Sequence, residues 1–166
     1  MRLRPEQPGD IAAIRRLTEM AFREAEHTSH VEHFIVDALR QRDELSVSLV
    51  AEDEGDIVGH VAVSPVAIDG VVDGWFGLGP VSVAPSRQRQ GIGSRLVELA
   101  LQALRDRGAC GCVVLGEPAY YGRFGFVAEP TLVLPGVPPA YFQCIALRGQ
   151  PARGSVSYSS AFEATA

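Results

Sequence analysis

Hydrophobic residues in the first part of the chain recur at the three- and four-residue spacing of amphipathic helices. One such stripe covers 11–22 and follows a potential N-cap at Asp10. A second stripe covers 31–39, and Ser29 with Glu32 three residues later has the pattern of a capping box. The pattern therefore predicts two helices before residue 40.

The next part of the chain alternates hydrophobic and polar residues or forms short apolar runs, which is typical of strands. The sequence DEGD at 53–56 and the pair Asp69-Gly70 separate these runs and indicate hairpin turns. Together with the short alternating N-terminus, the predicted strands are 2–4, 46–52, 57–68 and the core of 77–85, which Pro85 ends.

The second half returns to a helical spacing and then to strands. A stripe after 87–94 predicts a helix ending near Arg107, with Gly108 as its C′ residue. The fully apolar run 110–115 is typical of a central strand, and the tail predicts further strands at 141–147 and 155–162. This order predicts one domain, 1–166, of the α/β class with a mixed central β-sheet flanked by helices. The strand–helix–strand unit in its centre should cross over right-handed, with ligands near the carboxyl ends of the central strands.

Composition narrows the classes of function. The 166 residues carry a formal net charge of −5, which disfavours a general nucleic-acid role. No apolar run reaches the length of a membrane span, and the N-terminus MRLRPEQPGD lacks the apolar segment of a signal peptide. Three cysteines without CxxC spacing disfavour a disulfide framework or a zinc site. We therefore expect a cytoplasmic protein with no nucleic-acid partner, no membrane partner and no metal.

The stretch RQRQGIGS at 87–94 places two arginines and a Gly-x-Gly pair directly before a helix. A helix N-terminus offers unpaired backbone N–H groups and the positive end of the dipole. Glycine lets an anion approach closely, and Arg87 and Arg89 add charge suited to phosphate. The stretch predicts a diphosphate cradle, with a plain turn as the alternative. The chain has no lysine for a P-loop, and Leu96 stands where a dinucleotide fingerprint needs glycine.

The segment VSVAPSRQRQGIGSRLVELAL resembles the acetyl-CoA-binding segment of the GNAT superfamily of N-acetyltransferases, whose loop reads Q/R-x-x-G-x-G/A. Residues 88–93 fit that loop without a gap. The block YGRFGF at 121–126 resembles the Tyr-x-x-Leu-Gly-Phe element of the family. The order of helices and hairpins agrees over residues 1–130, and the tail containing PPAYFQCIAL resembles the YhbS-like branch. The resemblance implies the GNAT (acyl-CoA N-acyltransferase) fold.

The same resemblance implies the residues of the site. Loop N–H groups would hold the CoA pyrophosphate, and the preceding strand would pair with the pantetheine arm and polarise the thioester carbonyl. Tyr121 would protonate the departing thiolate, with an aromatic core position beside Phe124 and Phe126 as the alternative. Tyr120 should point away from Tyr121 if this segment is extended. The residues implied to bind the cofactor are Val81, Ser82, Val83, Arg89, Gln90, Gly91, Ile92, Gly93 and Ser94.

No pattern identifies the base that deprotonates the acceptor amine. The candidates are an ordered water chain and the side chains of Glu26, Glu32, His60 and Glu117. A capping role explains Glu32 better, a satisfied half-buried position explains His60 better, and an exposed loop position explains Glu117 equally well.

Histidines and cysteines add two weaker patterns. His27, His30 and His33 share a three-residue spacing, for which a solvated or acceptor-contacting face is favoured over a metal site. Cys110 and Cys112 should pack on one face of the central strand.

We expect an acetyl-CoA-dependent N-acetyltransferase in which a primary amine of a small-molecule or peptide acceptor attacks directly in a ternary complex. One alternative is a GNAT fold that binds acyl-CoA without chemistry, as a sensor or regulatory module, and a weaker one is a nucleotide-binding domain. The apolar tail strands fit either the monomer's own sheet or a homodimer.

Overall fold

The computed structural model describes residues 1–23, 25, 28 and 30–166. Short 3₁₀ turns connect several of its helices and strands. In chain order the helices and strands are β1 (Arg2–Pro5), α1 (Ile11–Phe22), α2 (Glu32–Gln41), β2 (Val47–Asp53), β3 (Asp56–Ile68), β4 (Trp75–Val83), α3 (Ile92–Asp106), β5 (Gly111–Leu115), α4 (Pro118–Tyr121), β6 (Leu132–Val133), β7 (Phe142–Ala146) and β8 (Gly154–Tyr158).

The contacts group these elements into two compact units. The first contains Met1–Val63, Gly79–Ala100 and Ser160–Ala166, and the second contains Ser64–Leu78 and Leu101–Ser159. The chain passes between the units within β3, β4 and α3, so these three elements contribute residues to both. A single domain over 1–166 stays a prediction.

The first unit is built on an antiparallel meander. β1 pairs with β2, and β2 pairs with β3, where Val50 lies opposite His60. The apolar stripes of α1 and α2 cover this sheet, because Ile14 and Val36 pack with Val50 in one buried cluster. The two predicted helices and the predicted hairpin at 46–68 are therefore confirmed to within one or two residues at their ends.

The second unit contains the mixed part of the sheet. β4 runs parallel to β5, β5 runs antiparallel to β7, and β8 pairs with both β3 and β6. The predicted central position of the apolar strand 110–115 is confirmed, since β5 lies between β4 and β7. The core cluster of this unit contains Trp75, Val113 and Phe142. The tail strands complete the chain's own sheet, although residues 160–163 form a 3₁₀ turn rather than the end of a strand.

The predicted helix caps differ from the structure. Asp10 does precede α1, but its carboxylate makes no capping hydrogen bond to the helix. It instead accepts hydrogen bonds from the Arg4 guanidinium and the Gln7 backbone N–H, which is a stronger charged pairing. α2 begins at Glu32 with Val31 as its N-cap, and the proposed cap at Ser29 lies outside the described residues.

Gly108 follows α3 with a φ of 76°, as expected of a C′ glycine. Within the described residues no helix has the length and apolar character needed to cross a membrane.

Candidate active site

The loop between β4 and α3 has backbone geometry suited to an anion. Arg89 and Gly91 both have positive φ values, of 64° and 83°. Conformations that alternate in this way turn successive N–H groups toward one concavity. A Cβ added at Gly91 would meet no atom within 4 Å, so the space above this glycine is open.

The first part of this loop is paired, since Ala84 N donates to Val58 O and Arg87 N donates to Ala84 O, but the backbone N–H groups that follow have no acceptor among the described residues. The first helical hydrogen bond of α3 runs from Arg95 N to Gly91 O, at 3.1 Å. In the described part of the chain, no backbone N–H from Gln88 to Gly93 donates to another protein group. Unpaired donors at a helix N-terminus attract an anion, since the helix dipole adds a partial positive charge there.

β3 fixes the position of this helix end. Ile92 is buried at the start of α3 and packs over Gly59 of β3. A Cβ at Gly59 would lie 2.8 Å from Ile92 Cγ2 and 2.9 Å from Leu96 Cδ1. A larger residue at position 59 would therefore push the first turns of α3, and the loop with them, away from the sheet.

Side chains of the loop brace it internally. Gln88 Nε2 donates to Val83 O at 3.2 Å, and Gln90 Nε2 donates to Ser86 O at 3.4 Å. Arg87 Nε donates to Gln90 Oε1, at 3.2 Å. These bonds hold the loop's shape without using its backbone N–H groups.

The two arginines of the loop have different surroundings. Arg87 Nη1 lies 2.9 Å from Asp53 Oδ2, so its charge is largely balanced at the end of β2, and the pKa of Asp53 is lowered. Arg89 is exposed and forms no salt bridge among the residues that the structure describes. The sequence predicts that both arginines serve an anion, whereas the structure leaves Arg89 as the better placed of the two, because Arg87 is paired with Asp53. Asp53 is not predictable from the sequence as the partner of Arg87, because the only local signal is a carboxylate at a predicted hairpin turn.

The strand before the loop carries the other predicted cofactor-binding residues. Ser82 is buried, while Val81 and Val83 on either side of it are half-buried. Parallel pairing of β4 with β5 is confined to Trp75–Gly77. Val81–Val83 lie beyond that pairing and, with the loop, are brought together in the first unit.

Tyr121 lies at the end of α4, in the second unit. Its ring covers Gly116, where an added Cβ would lie 2.9 Å from Tyr121 Cδ2 and closer still to Cε2. The ring meets Phe126 edge-on, with centroids 6.0 Å apart. Burial raises the pKa of Tyr121 to about 12, and electrostatic repulsion from Tyr120 and Cys112 adds to this effect. Its hydroxyl makes no hydrogen bond to the described residues, so it is available to a ligand.

Tyr120 does not point away from Tyr121. The segment is helical rather than extended, and the two rings meet edge-on with centroids 4.9 Å apart. Gly116 was also missed, because nothing in the sequence marks which glycine lies beneath an aromatic ring.

Three of the four candidate side-chain bases lie within the described residues, and their environments differ. Glu26 lies outside the described residues. Glu32 accepts a hydrogen bond from Thr28 Oγ1 at 2.6 Å at the start of α2, and Glu117 is exposed before α4. His60 is fully buried rather than half-buried, and only its Nε2 has a partner, Ser48 Oγ at 2.8 Å.

The remaining histidines and cysteines lie in different surroundings where the structure describes them. His27 lies outside the described residues, His30 is exposed, and His33 is buried with its ring 4.0 Å from that of Phe34. Among the described residues no group of His, Cys, Asp and Glu is arranged to hold a metal. Cys112 is a buried free thiol in β5, whereas Cys110 precedes that strand and is only half-buried.

Sequence and structure comparisons agree on one family. The acetyltransferase (GNAT) family matches residues 11–126. The uncharacterized N-acetyltransferase YhbS of Escherichia coli K12 is 38% identical over 127 residues, which cover 76% of this chain and 73% of YhbS.

Two solved structures resemble the chain over nearly its whole length. A GNAT family acetyltransferase from Brucella melitensis in complex with acetyl-CoA is 48% identical, with a TM-score of 0.87 and 97% of each chain covered. YhbS from E. coli in complex with CoA is 33% identical, with a TM-score of 0.88, covering 98% of this chain and 91% of YhbS.

Proposed function

The chain belongs to the acetyltransferase (GNAT) family, and we propose that it transfers the acetyl group of acetyl-CoA to a primary amine by direct attack, with both substrates bound at once. It has the GNAT fold, and it is an acetyl-CoA-dependent N-acetyltransferase of the YhbS-like branch. The direct mechanism and an acceptor that is a small molecule or a peptide are the parts that we propose.

The proposal rests on the N–H groups from Gln88 to Gly93, none of which donates to a described group of the protein. Open space above Gly91 and the free charge of Arg89 suit a diphosphate, and lysine-based nucleotide loops are excluded by composition. We assign the pyrophosphate of CoA to Arg89, Gln90, Gly91, Ile92, Gly93 and Ser94. The neighbours that hold acetyl-CoA and CoA support this assignment.

We assign the pantetheine arm to Val81, Ser82 and Val83. Beyond Gly77 the edge of β4 that faces away from β3 is no longer paired with β5, and such an open strand edge can hydrogen-bond an extended ligand. A backbone N–H in this stretch would donate to the thioester oxygen, where negative charge develops when the amine attacks. These residues would supply position and electrostatic stabilisation rather than covalent chemistry.

We assign the proton donor to Tyr121. A pKa of about 12 keeps its hydroxyl protonated over the whole working range of pH. The thiolate that leaves needs a proton, and this hydroxyl is not engaged elsewhere in the described protein. A cytoplasmic location, favoured by three free thiols, completes the proposal.

Calorimetric titration of the purified protein with acetyl-CoA, CoA and ATP at moderate salt tests the cradle. We expect saturable binding of acetyl-CoA and CoA that is much tighter than binding of ATP. Absence of acetyl-CoA binding, or tighter binding of ATP, would contradict the assignment of the loop.

A thiol-release screen with a panel of primary amines then tests catalysis. Free CoA released in the presence of one amine, above the rate without amine, supports the transferase. Tight acetyl-CoA binding without turnover on any amine would instead support an acyl-CoA sensor.

A further inference from the structure

A chain of polar groups crosses the first unit from α2 to β3, half-buried at its first three members and fully buried at the last. Arg40 donates to both carboxylate oxygens of Glu6, from Nη2 at 2.7 Å and from Nε at 3.1 Å. Ser48 Oγ donates to Glu6 Oε1 at 2.7 Å and lies 2.8 Å from His60 Nε2. The chain therefore runs Arg40, Glu6, Ser48, His60.

These contacts fix the tautomer of His60. The hydrogen of the Ser48 hydroxyl goes to Glu6, so the hydrogen between Ser48 and His60 must come from Nε2. Nδ1 is then a bare acceptor, as in any neutral imidazole with a protonated Nε2. Burial lowers the pKa of His60 to about 4, and Glu6 and Arg40 act on it with opposite signs, so the ring is neutral. Nδ1 is buried, and no described residue donates to it.

A second buried polar atom without a partner lies on the neighbouring strand. Ser82 is 1% exposed, and its Oγ has no partner among the described residues. β3 and β4 are neighbours joined by a connection too short for a parallel crossover, so they are antiparallel. Ala84 N donates to Val58 O at 2.9 Å. This bond pairs Ala84 with Val58. Because the strands are antiparallel, two residues back along β4 and two residues forward along β3, Ser82 lies opposite His60 on the same face.

Two facing polar atoms, each buried without a partner, are costly, and internal water is the usual group that satisfies such pairs. Water can donate to a bare imidazole nitrogen and accept from a hydroxyl, which is the complement of Nδ1 and Ser82 Oγ. We propose that His60 and Ser82 bind one internal water molecule, which extends the polar chain from Arg40 to β4.

The role of this water is to position β4. Ser82 lies between Val81 and Val83, the strand residues that we assigned to the pantetheine arm. Tying its side chain to β3 restrains the backbone of both neighbours, and a preorganised strand binds its ligand more tightly. His60 and Ser82 are thus positioning residues, and this second step rests on the proposed function.

A crystal structure of the full chain tests the water directly. We expect an electron-density peak within hydrogen-bond distance of both His60 Nδ1 and Ser82 Oγ. A direct hydrogen bond between the two side chains, or no peak, would overturn the proposal.

Nitrogen-15 NMR of histidine-labelled protein tests the same contact in solution. We expect His60 to be the Nε2-protonated tautomer, with an Nδ1 resonance that shifts in Ser82→Ala and is restored in Ser82→Thr. A merely structural serine would leave Nδ1 unmoved, and an unmoved Nδ1 in Ser82→Ala would contradict the bridge.

Calorimetry with acetyl-CoA tests the positioning role. We expect Ser82→Ala to weaken binding about fivefold, the value of one lost hydrogen bond, and Ser82→Thr to restore it. Ser64→Ala is the matched control, because Ser64 of β3 is also a buried serine whose hydroxyl has no partner among the described residues. The acetyl-CoA affinity of this variant should stay within about twofold of that of the unmodified protein.

The outcomes separate the two proposals. A shifted Nδ1 with unchanged acetyl-CoA affinity would remove the positioning role. Failure of the unmodified protein to bind acetyl-CoA would remove that role and the proposed function together, while the crystal structure and NMR would still decide whether the water is there.

Discussion

At the scale of single residues, the Tyr121 hydroxyl is the group whose removal most sharply separates chemistry from structure. The hydroxyl makes no hydrogen bond to the described protein, so Tyr121→Phe should leave the melting temperature and the acetyl-CoA affinity unchanged. If Tyr121 protonates the thiolate, kcat should fall by about 100-fold. Steady-state thiol release at saturating acetyl-CoA and amine, with the amine that the screen identifies, measures kcat. Equal turnover would mean another acid, or departure of the thiolate without one.

A second residue-scale prediction concerns Gly91. Glutamate at this position would place a side chain and a negative charge above the unpaired N–H groups, so acetyl-CoA affinity should fall at least 100-fold by calorimetry. Gly70→Glu is a matched control, because Gly70 has the same φ of 83° and also no atom within 4 Å of an added Cβ. Both variants should lose similar stability from the positive φ. Equal loss of affinity in the two variants would show that strain, not the cradle, was measured.

The residues differ in how far the sequence could predict them. The loop was predictable, because its glycines and its place before a helix depend only on local order. Pairings between distant segments were not: Asp53 neutralises Arg87 from the end of another strand, and nothing near Arg87 indicates this. His60 was expected to be half-buried because alternation shows which face of a strand a residue takes, but not how completely other elements cover it.

At the scale of elements, α4 packs against the residue that follows β5, because the Tyr121 ring lies on Gly116. A methyl group there would overlap the Tyr121 ring, so Gly116→Ala should displace the ring and lower kcat about tenfold while acetyl-CoA affinity holds. Gly122→Ala is the control, since an added Cβ at Gly122 meets no atom within 4 Å. If Gly116 acts through Tyr121, adding Gly116→Ala to Tyr121→Phe should cost little more turnover. Additive losses would mean that Gly116 acts by another route.

Element prediction was accurate where periodicity and local turn chemistry coincide, as in α1, α2 and the β2–β3 hairpin. It failed at helix ends whose polar groups serve the tertiary structure. Asp10 has the residue type and position of an N-cap, yet the Arg4 guanidinium competes for its carboxylate. Near the C-terminus, the sequence predicts that residues 160–162 continue a strand. The structure shows a 3₁₀ turn at 160–163 instead, which buries Ala161 against Ile35 and Leu39 of α2.

At the scale of the whole molecule, buried neutral His60 couples folding to pH. Its pKa is about 4 in the folded protein and 6.5 when unperturbed, so the unfolded chain takes up the proton first as pH falls. The contribution of His60 to stability is therefore complete above pH 6.5, declines between 6.5 and 4, and totals about 3 kcal/mol. The carboxylate of Glu6 does not offset this loss, because the hydrogen bonds from Arg40 and Ser48 outweigh burial and keep its pKa below the usual range.

The loss of stability attributed to His60 is measured by comparing how the free energy of unfolding depends on pH with and without this histidine. Urea unfolding of the natural protein and of His60→Gln at pH 7.5, 6.5, 5.5 and 4.5 should give free energies of unfolding that converge as pH falls, because glutamine takes up no proton. Titrating groups outside the Arg40–Glu6–Ser48–His60 chain contribute equally to both proteins and cancel in the difference. Parallel profiles would mean that His60 keeps an ordinary pKa and is reached by solvent. Convergence over this range would mean that β3 keeps His60 buried and neutral in the folded protein across these pH values.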